Sequence, residues 1–529
     1  MMEYAMKRFS AVILALCLMN SFAMANADTA DAVDALRTTI LFSPTIIQHS
    51  DTFIPGETYS GTAYYFSASE GDDLNDGLSP DTALASVCMI YSLNLHPGDA
   101  VFFKRGDIWR LIPGGPDPII SCVEGVTYSA YGEGAKPAFY GSPENGTGAE
   151  KWELVSEVEG KIWKFYRDMP DVGGIIVSAD EVESTFTRAY GWWNGTEYEG
   201  VELNLNPNYK MDEFITYGWE VLSAPDAVMA NHEFKSEIDY TGCEYSIRRY
   251  ELCKQGPLYL RCDEGNPGEL FTSLEFMTKE LRESEGGWFG MINCAENVVV
   301  DNLAVKYYSD AAIRAEPGQN GIIVQNCEIS YGGNCIHEFI GPEPTRDFML
   351  SGDGIYGMAK NAVVRSNYVH DVDGGGITFE TYTESEDADV GTYTAQGNLV
   401  ERCGGGIQLN DGNAMLHFDE IDILDNIIID MGGGWTHNCL GDISSICIGG
   451  WGEVLAEKIN VIGNYLSGSR MYLLLLWNEN VQLSGNEYYA DNAFLCIPPQ
   501  GWRIIRDADE MKMFVIERGE TDPVVAMID

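Results

Sequence analysis

An asparagine followed by a short apolar stretch returns seven times in the second half of the chain, and no other feature restricts the fold as much. The stretches read DNLAV, QNCEI, SNYVH, GNLVE, DNIII, GNYLS and GNEYY, with the asparagines at 302, 326, 367, 398, 426, 464 and 486. Successive separations are 24, 41, 31, 28, 38 and 22 residues. The two shortest fit one coil of a solenoid made of three short strands and tight turns, and the longer ones imply loops let out of a coil. Strands this short are unstable alone, so stacking of coils is what buries them. An asparagine at the same turn of each coil can hydrogen-bond to its neighbours above and below. The expected fold is all-β, a right-handed parallel β-helix (a single-stranded solenoid) with capped ends; a multi-stranded sandwich with accidental asparagine spacing is the alternative.

The remainder of the chain divides around that solenoid. Residues 1–25 combine Lys7 and Arg8, the apolar run AVILALCLM at 11–19 and an A-x-A pattern at Ala23 and Ala25, which predicts a secretory signal peptide and an extracellular or periplasmic protein. The run is too short to span a bilayer, so no membrane insertion is expected. Residues 26–60 are read as an N-terminal extension or cap, 61–500 as the β-helix and 501–529 as a C-terminal cap. Helix signals are scarce after about residue 100, apart from LFTSLEFMTKELRES.

With 81 acidic and 32 basic residues the formal net charge is −49, a field that repels nucleic acid and anionic membrane alike. Neutral or sparsely charged substrates fit more easily. Twelve cysteines follow the signal segment without a tight metal-ligand spacing. Cys294, Cys327, Cys335 and Cys447 fall in strand-like positions and read as inert buried thiols, while Cys243 and Cys253, with Cys262 nearby, are the best candidates for a disulfide.

Three N-terminal segments, YYFSASEGDDLNDGLSPDTAL at 64–84, PGDAVFFKRGDIWR at 97–110 and YSAYGEGAKP at 128–137, resemble the opening of secreted β-helix proteins of the pectate-lyase-like superfamily. The stretch GDGIYGMAKNAVVRSNYVHDVDGGGIT is in turn similar to one in lacto-N-biosidase-like glycoside hydrolases. The resemblance implies a parallel β-helix over about residues 60–500 and an activity on glycans. It points to the region around 352–380 without assigning a role to any residue there.

Strand alternation within that region selects candidates. In GGGITFE, Ile377 and Phe379 should face inward, leaving Thr378 and Glu380 outside; in GGGIQLND, Ile407 and Leu409 face inward, leaving Gln408 and Asn410 outside, with Asp411 entering the turn. Equivalent positions on neighbouring coils stand about 4.8 Å apart, so two outward carboxylates can approach the separation that glycosidic hydrolysis requires. Glu380 is the leading acid, with Asp373 at the turn, Asp353 one coil earlier and Asp411 one coil later as partners. One carboxyl raised by a like-charged neighbour would protonate the glycosidic oxygen while the other stays ionised. Aligning NCIHEF as the preceding coil gives an outward His337. His370, Tyr382, Asn410, His437 and Trp477 are expected to touch substrate, the aromatics as flat platforms for sugar rings.

The expected activity is thus a glycoside hydrolase acting on a host or plant glycan, with no cofactor required. Calcium is possible at Asp371, Asp373 and the acidic run 384–389, whereas the histidines lack the tight spacing of a zinc site. A polysaccharide lyase would need a cation to neutralise a uronic carboxylate, for which Arg346, Lys360, Arg365 and Arg402 are the candidates. A non-catalytic glycan-binding β-helix is the third reading.

Overall fold

The fold is taken from a computed structural model. It describes residues 26–528 except 112–118, 159, 180–181, 189–232, 237–254, 279–289, 317, 341–346, 358, 382–387, 412–415, 433–443, 450–453, 470–471, 477, 479, 491–492 and 498–502. Three ten-stranded sheets run the length of the molecule and are parallel throughout, save for the closing strand Arg503–Ile505. The first sheet runs from Ala63–Phe66 to Val481–Ser484. The second extends from Ile120–Ser121 to Leu495 and its neighbours, and the third from Ile108–Arg110 to Val524–Met527. One coil takes Val299–Asp301 in the first sheet, Ala304–Tyr308 in the third and Ala311–Ala315 in the second, and returns to the first at Ile323–Gln325. This is a parallel β-helix.

Register and burial explain why the coils stack. In the second sheet Ile120, Ile292, Ile313, Ile355, Ile377, Ile407, Ile446, Leu474 and Leu495 stand opposite one another in adjacent strands. Ile120, Ile292, Ile313, Ile355, Ile377, Ile407, Ile446 and Leu474 belong to one continuous core. Each such side chain contributes about 1.5–3 kcal/mol when fully withdrawn from water. The inward assignment of Ile377, Phe379, Ile407 and Leu409 agrees with this core.

The asparagine motif resolves into two roles. Asn367, Asn398, Asn426, Asn464 and Asn486 form a buried ladder in which each Oδ1 accepts from the backbone N–H of the preceding rung, at 2.9–3.0 Å. Between asparagine rungs the side-chain Nδ2 donates to the same oxygen. Glu520 closes the ladder by accepting from the backbone and side chain of Asn486. The residue before each rung is left-handed: Ser366, Gly397, Asp425, Gly463 and Gly485 all have φ between 53° and 70°. Asn302 and Asn326 correct the expectation of a single aligned ladder. They occupy the left-handed position itself (φ 62° and 55°), and the rung position after them holds buried Leu303 and Cys327. Asparagine is favoured at both sites for different reasons, as the residue that tolerates left-handed backbone and as the amide that bridges coils.

Two insertions interrupt the coils, the first not foreseen from sequence and the second of the kind the long asparagine separations implied. Between Ala138–Tyr140 and Gly290–Asn293 the solenoid is interrupted by a mostly antiparallel seven-stranded sheet, from Trp152–Ser156 to Ser273–Thr278, with its own core of Trp152, Phe165, Ile175 and Phe276. Its last strand is SLEFMT, read above as helix; Leu274 and Phe276 alternate into that core, a period of two and not 3.6. The inserted sheet is fixed to the solenoid by Arg110 on Glu275 at 2.6 and 2.7 Å and by the Tyr331 hydroxyl on Glu183 at 2.6 Å. The second insertion is an antiparallel hairpin, Cys335–Ile340 with Asp347–Ser351, which accounts for the 41-residue separation between Asn326 and Asn367.

The helix Asn26–Leu41 lies along the outer face of the third sheet, with Val33 and Ile40 against Tyr368, Leu399 and Ile427, and does not sit over an end of the solenoid. Helix Ala508–Glu517 buries Met511, Phe514 and Val515 in the main core beside the last coils. No helix among the described residues is long and apolar enough to cross a membrane.

Candidate functional site

The second sheet carries the carboxylates that the sequence singled out. Asp353 opens the strand Asp353–Gly357 and Glu380 lies near the end of Gly375–Thr381, its neighbour in the next coil. The outward row along this sheet runs Arg314, Tyr356, Thr378, Gln408, Cys447 in register, and Glu380 is paired with Asn410. Asp373 sits in the turn from the third sheet into Gly375–Thr381 and is fully buried. Residues 382–387 and 412–415, which follow Gly375–Thr381 and Gly405–Asp411, lie outside the described residues.

All three carboxylates are buried, in contrast to the open surface groove that alternation alone suggested. Asp353 Oδ1 accepts from the Gly375 backbone N–H at 2.8 Å and from the Thr378 hydroxyl at 3.3 Å. Burial and then the Glu380 charge push the Asp353 carboxyl up to about 8, with Asp373 adding to the rise and the two hydrogen bonds opposing it. At neutral pH Asp353 is therefore mainly a carboxylic acid.

The glycine run explains how a carboxyl fits into this corner. A Cβ at Gly374 would lie 2.6 Å from Asp353 Oδ1 and 2.8 Å from the Gly352 carbonyl. Gly374 has no positive φ, so close approach of neighbouring coils, and not a special turn, requires glycine here.

The other residues picked from sequence separate. Asn410 is buried and joins the carboxylates through its pairing with Glu380. Asp411 ends its strand opposite Thr381 and so belongs to the sheet, not to the following turn; its side chain lies outside the description, as does that of His337. His337 falls in the inserted hairpin and not in a coil, because Asp353–Gly357 is the strand that stacks beneath Gly375–Thr381. His370 is on the third sheet, stacked on Tyr368 with its Nδ1 2.7 Å from Asp371 Oδ2, and does not meet the carboxylates. Tyr382, His437 and Trp477 lie outside the described residues, as do Cys243 and Cys253. Cys262, Cys294, Cys327, Cys335 and Cys447 are buried.

Cations are directed elsewhere. Arg402 holds Asp371 at 3.0 and 2.8 Å, Arg365 donates to Gln325, and Arg346 is outside the described residues. Lys360 pairs with Asn320 through its backbone, just before the first-sheet strand Ala362–Arg365 and away from the acidic corner on the second sheet. Both Asp371 oxygens are thus engaged, by Arg402 and by His370, which removes it from the expected calcium set. No group of three or more His, Cys, Asp or Glu suited to a metal occurs among the described residues. Sequence reasoning missed Arg314, which register brings to the outward row with its guanidinium 3.0 Å from Glu316. Its signal was available: Ile313 at an inward position places Arg314 outside.

Fold and site define a parallel β-helix with a buried acidic corner on one outer face. The sequence matches no protein-family model and no curated protein. Among solved structures it is similar to XylC in complex with xylose, at 12% identity over 88% of this chain and 83% of that one, with a TM-score of 0.37. It is also similar to a GH136 lacto-N-biosidase from Eubacterium ramulus, at 13% identity over 88% and 68% of the two chains (TM-score 0.29). For pectate lyase Pel9A the values are 9% identity over 83% and 78%, with a TM-score of 0.32.

Proposed function

We propose that the protein is a glycan-cleaving enzyme, exported from the cell, that hydrolyses glycosidic bonds at the acidic corner of the second sheet. The observation that carries this reading is Asp353, a carboxyl raised to about 8 and coupled to the Glu380 carboxylate on the same outer face. A proton donor near neutrality next to an ionised carboxylate is the pairing that acid-assisted glycoside cleavage uses. In the step proposed, the bond from the anomeric carbon to the leaving oxygen breaks and that oxygen takes the Asp353 proton. The hydroxyl of one water joins the anomeric carbon, and the water's second proton restores the carboxyl pair. Glu380 supplies the negative charge that faces the developing positive charge on the sugar, and Thr378 and the Gly375 N–H hold Asp353 in place.

Elimination is disfavoured because it needs a cation facing a uronic carboxylate. Arg402 and Arg365 are committed to other partners, and Arg314 is paired with Glu316. The test is product mass after incubation of the purified protein with neutral, mucin-type and uronic-acid glycans. Fragments that together have gained one water per cleavage support hydrolysis, and unsaturated fragments without added water contradict it.

A further inference from the structure

On the outer face of the first sheet, at the beginning of the solenoid, lies an open groove of about 800 Å³ that has no part in the acidic corner. Its floor follows from alternation. In Ala100–Lys104, Val101 and Phe103 enter the core, so Phe102 faces out; Tyr65 and Tyr131 face out for the same reason from the strands on either side. Tyr65 is stacked on Phe102 at 5.7 Å between ring centroids, with Tyr59 and Tyr131 edge-on to this pair. Phe42 stands at the rim with 69% of its surface exposed.

Polar groups interleave with the rings. Gln48 and Glu133 line the groove, and the Tyr131 hydroxyl is buried there without a hydrogen-bond partner among the described residues. A buried hydroxyl in that condition is costly unless something completes its bonding. Arg105 also lines the groove, but its guanidinium is spent on the carbonyls of Gly134 at 3.2 Å and Ser43 at 2.6 Å. With those donors turned to backbone carbonyls, Glu133 on the lining and a net charge of −49 around it, the groove disfavours an anionic ligand.

We propose that this groove is a second, non-catalytic site for a neutral saccharide. One ring face, a flat array of C–H groups, would pack on Phe42 and the Tyr65–Phe102 pair, and its hydroxyls would meet Tyr131, Gln48 and Glu133. That the ligand is a sugar rests on the glycan-cleaving reading; that the groove takes a neutral molecule with an apolar face and a hydroxylated edge does not. A site of this kind on another sheet would hold a long glycan to the solenoid while the acidic corner acts on a different part of the same chain, raising its local concentration there.

The test uses the full chain carrying Asp353→Asn, with neutral xylo-, gluco- and galacto-oligosaccharides as probes, followed by calorimetry and amide hydrogen exchange. The expected result is slowed exchange over residues 42–49 and 130–135 and an affinity at least tenfold weaker when Phe42→Ala is added. The exposure of Phe42 leaves folding untouched by that change. Tyr131→Phe, which removes only the hydroxyl, should weaken binding by a smaller factor. Protection confined to the second sheet, unchanged affinity in both variants, or no binding of any probe overturns the proposal. The two readings fail separately. If the wild type cleaves glycans while 42–49 stay unprotected, the groove site falls alone; if 42–49 are protected but no glycan is cleaved, the enzymatic reading falls and the groove stands.

Discussion

Two corners of the same coils treat buried polar groups in opposite ways. Where the first sheet turns into the third, Asn367, Asn398, Asn426, Asn464 and Asn486 satisfy one another in a closed ladder that ends on Glu520. Where the third sheet turns into the second, Asp353 and Asp373 are also buried, and Glu380, toward the far end of the Gly375–Thr381 strand, adds the like charge that raises Asp353. Neutral amides that both donate and accept can be stacked without electrostatic cost; carboxylates cannot, and one must keep its proton. The difference teaches that the first corner is built for stability, while the second keeps a buried proton that the proposed hydrolysis would use.

The largest separation between the corners should come from Asp353→Asn. The change removes the acid while keeping its shape, and should lower turnover by about 10²–10⁴-fold, the usual contribution of a positioned acid or base, with the melting temperature unchanged or raised. Steady-state rates on whichever glycan is cleaved, with a thermal melt alongside, measure both.

Asn426→Ala probes the opposite corner. It removes the acceptor of the Asn398 backbone and side-chain N–H groups, and deprives the Ala395 carbonyl and Asn464 of their donor. Leaving such groups buried and unsatisfied should cost about 2–4 kcal/mol in denaturant unfolding. Activity per folded molecule should hold.

The pH dependence sharpens the contrast further. The folded Asp353 carboxyl sits at about 8 and the unfolded one near 3.9, so the native state retains its proton through the interval between them. Its contribution to stability is therefore complete below the unfolded value and lost as pH rises through about 8, and proton donation fails over the same upper range. Glu380→Gln removes the like charge and should move the pH at which Asp353 releases its proton downward, as read by carboxyl NMR titration. No shift would mean that the two carboxyls do not interact.

The smallest effect is expected at the helix that lies over the third sheet. Arg37→Ala breaks a half-exposed ion pair with Glu401 (2.7 Å) and should cost about 1 kcal/mol or less, while leaving the acidic corner unaffected.

Much of the solenoid was legible because its physics is local and repetitive. A period of two fixed the inward faces at Ile377, Phe379, Ile407 and Leu409, and the recurring asparagine marked one turn of every coil. Sequence could not divide that motif into its two roles, since left-handed backbone and an inter-coil amide both select asparagine and only register tells Asn326 from Asn367. The inserted sheet was hidden for a related reason: short strands separated by turns read alike whether they pair with the next coil or with one another. At the site, alternation placed Glu380 and Asn410 on one face. Glu380 was favoured as the acid; that burial raises the Asp353 carboxyl could not be read from sequence, because its depth depends on how Gly374 lets neighbouring coils close over it. Sequence proximity to acidic residues did not tell that His337 falls in a hairpin and His370 on the third sheet.

The central claim is that Asp353 donates a proton in hydrolysis, and it is tested most directly by cleaving a glycan in ¹⁸O-labelled water with the wild type and with Asp353→Asn in parallel. The account predicts products carrying one labelled oxygen per bond broken and a rate that collapses in the variant. Unlabelled, unsaturated products, or a variant that cleaves at the wild-type rate, would contradict it.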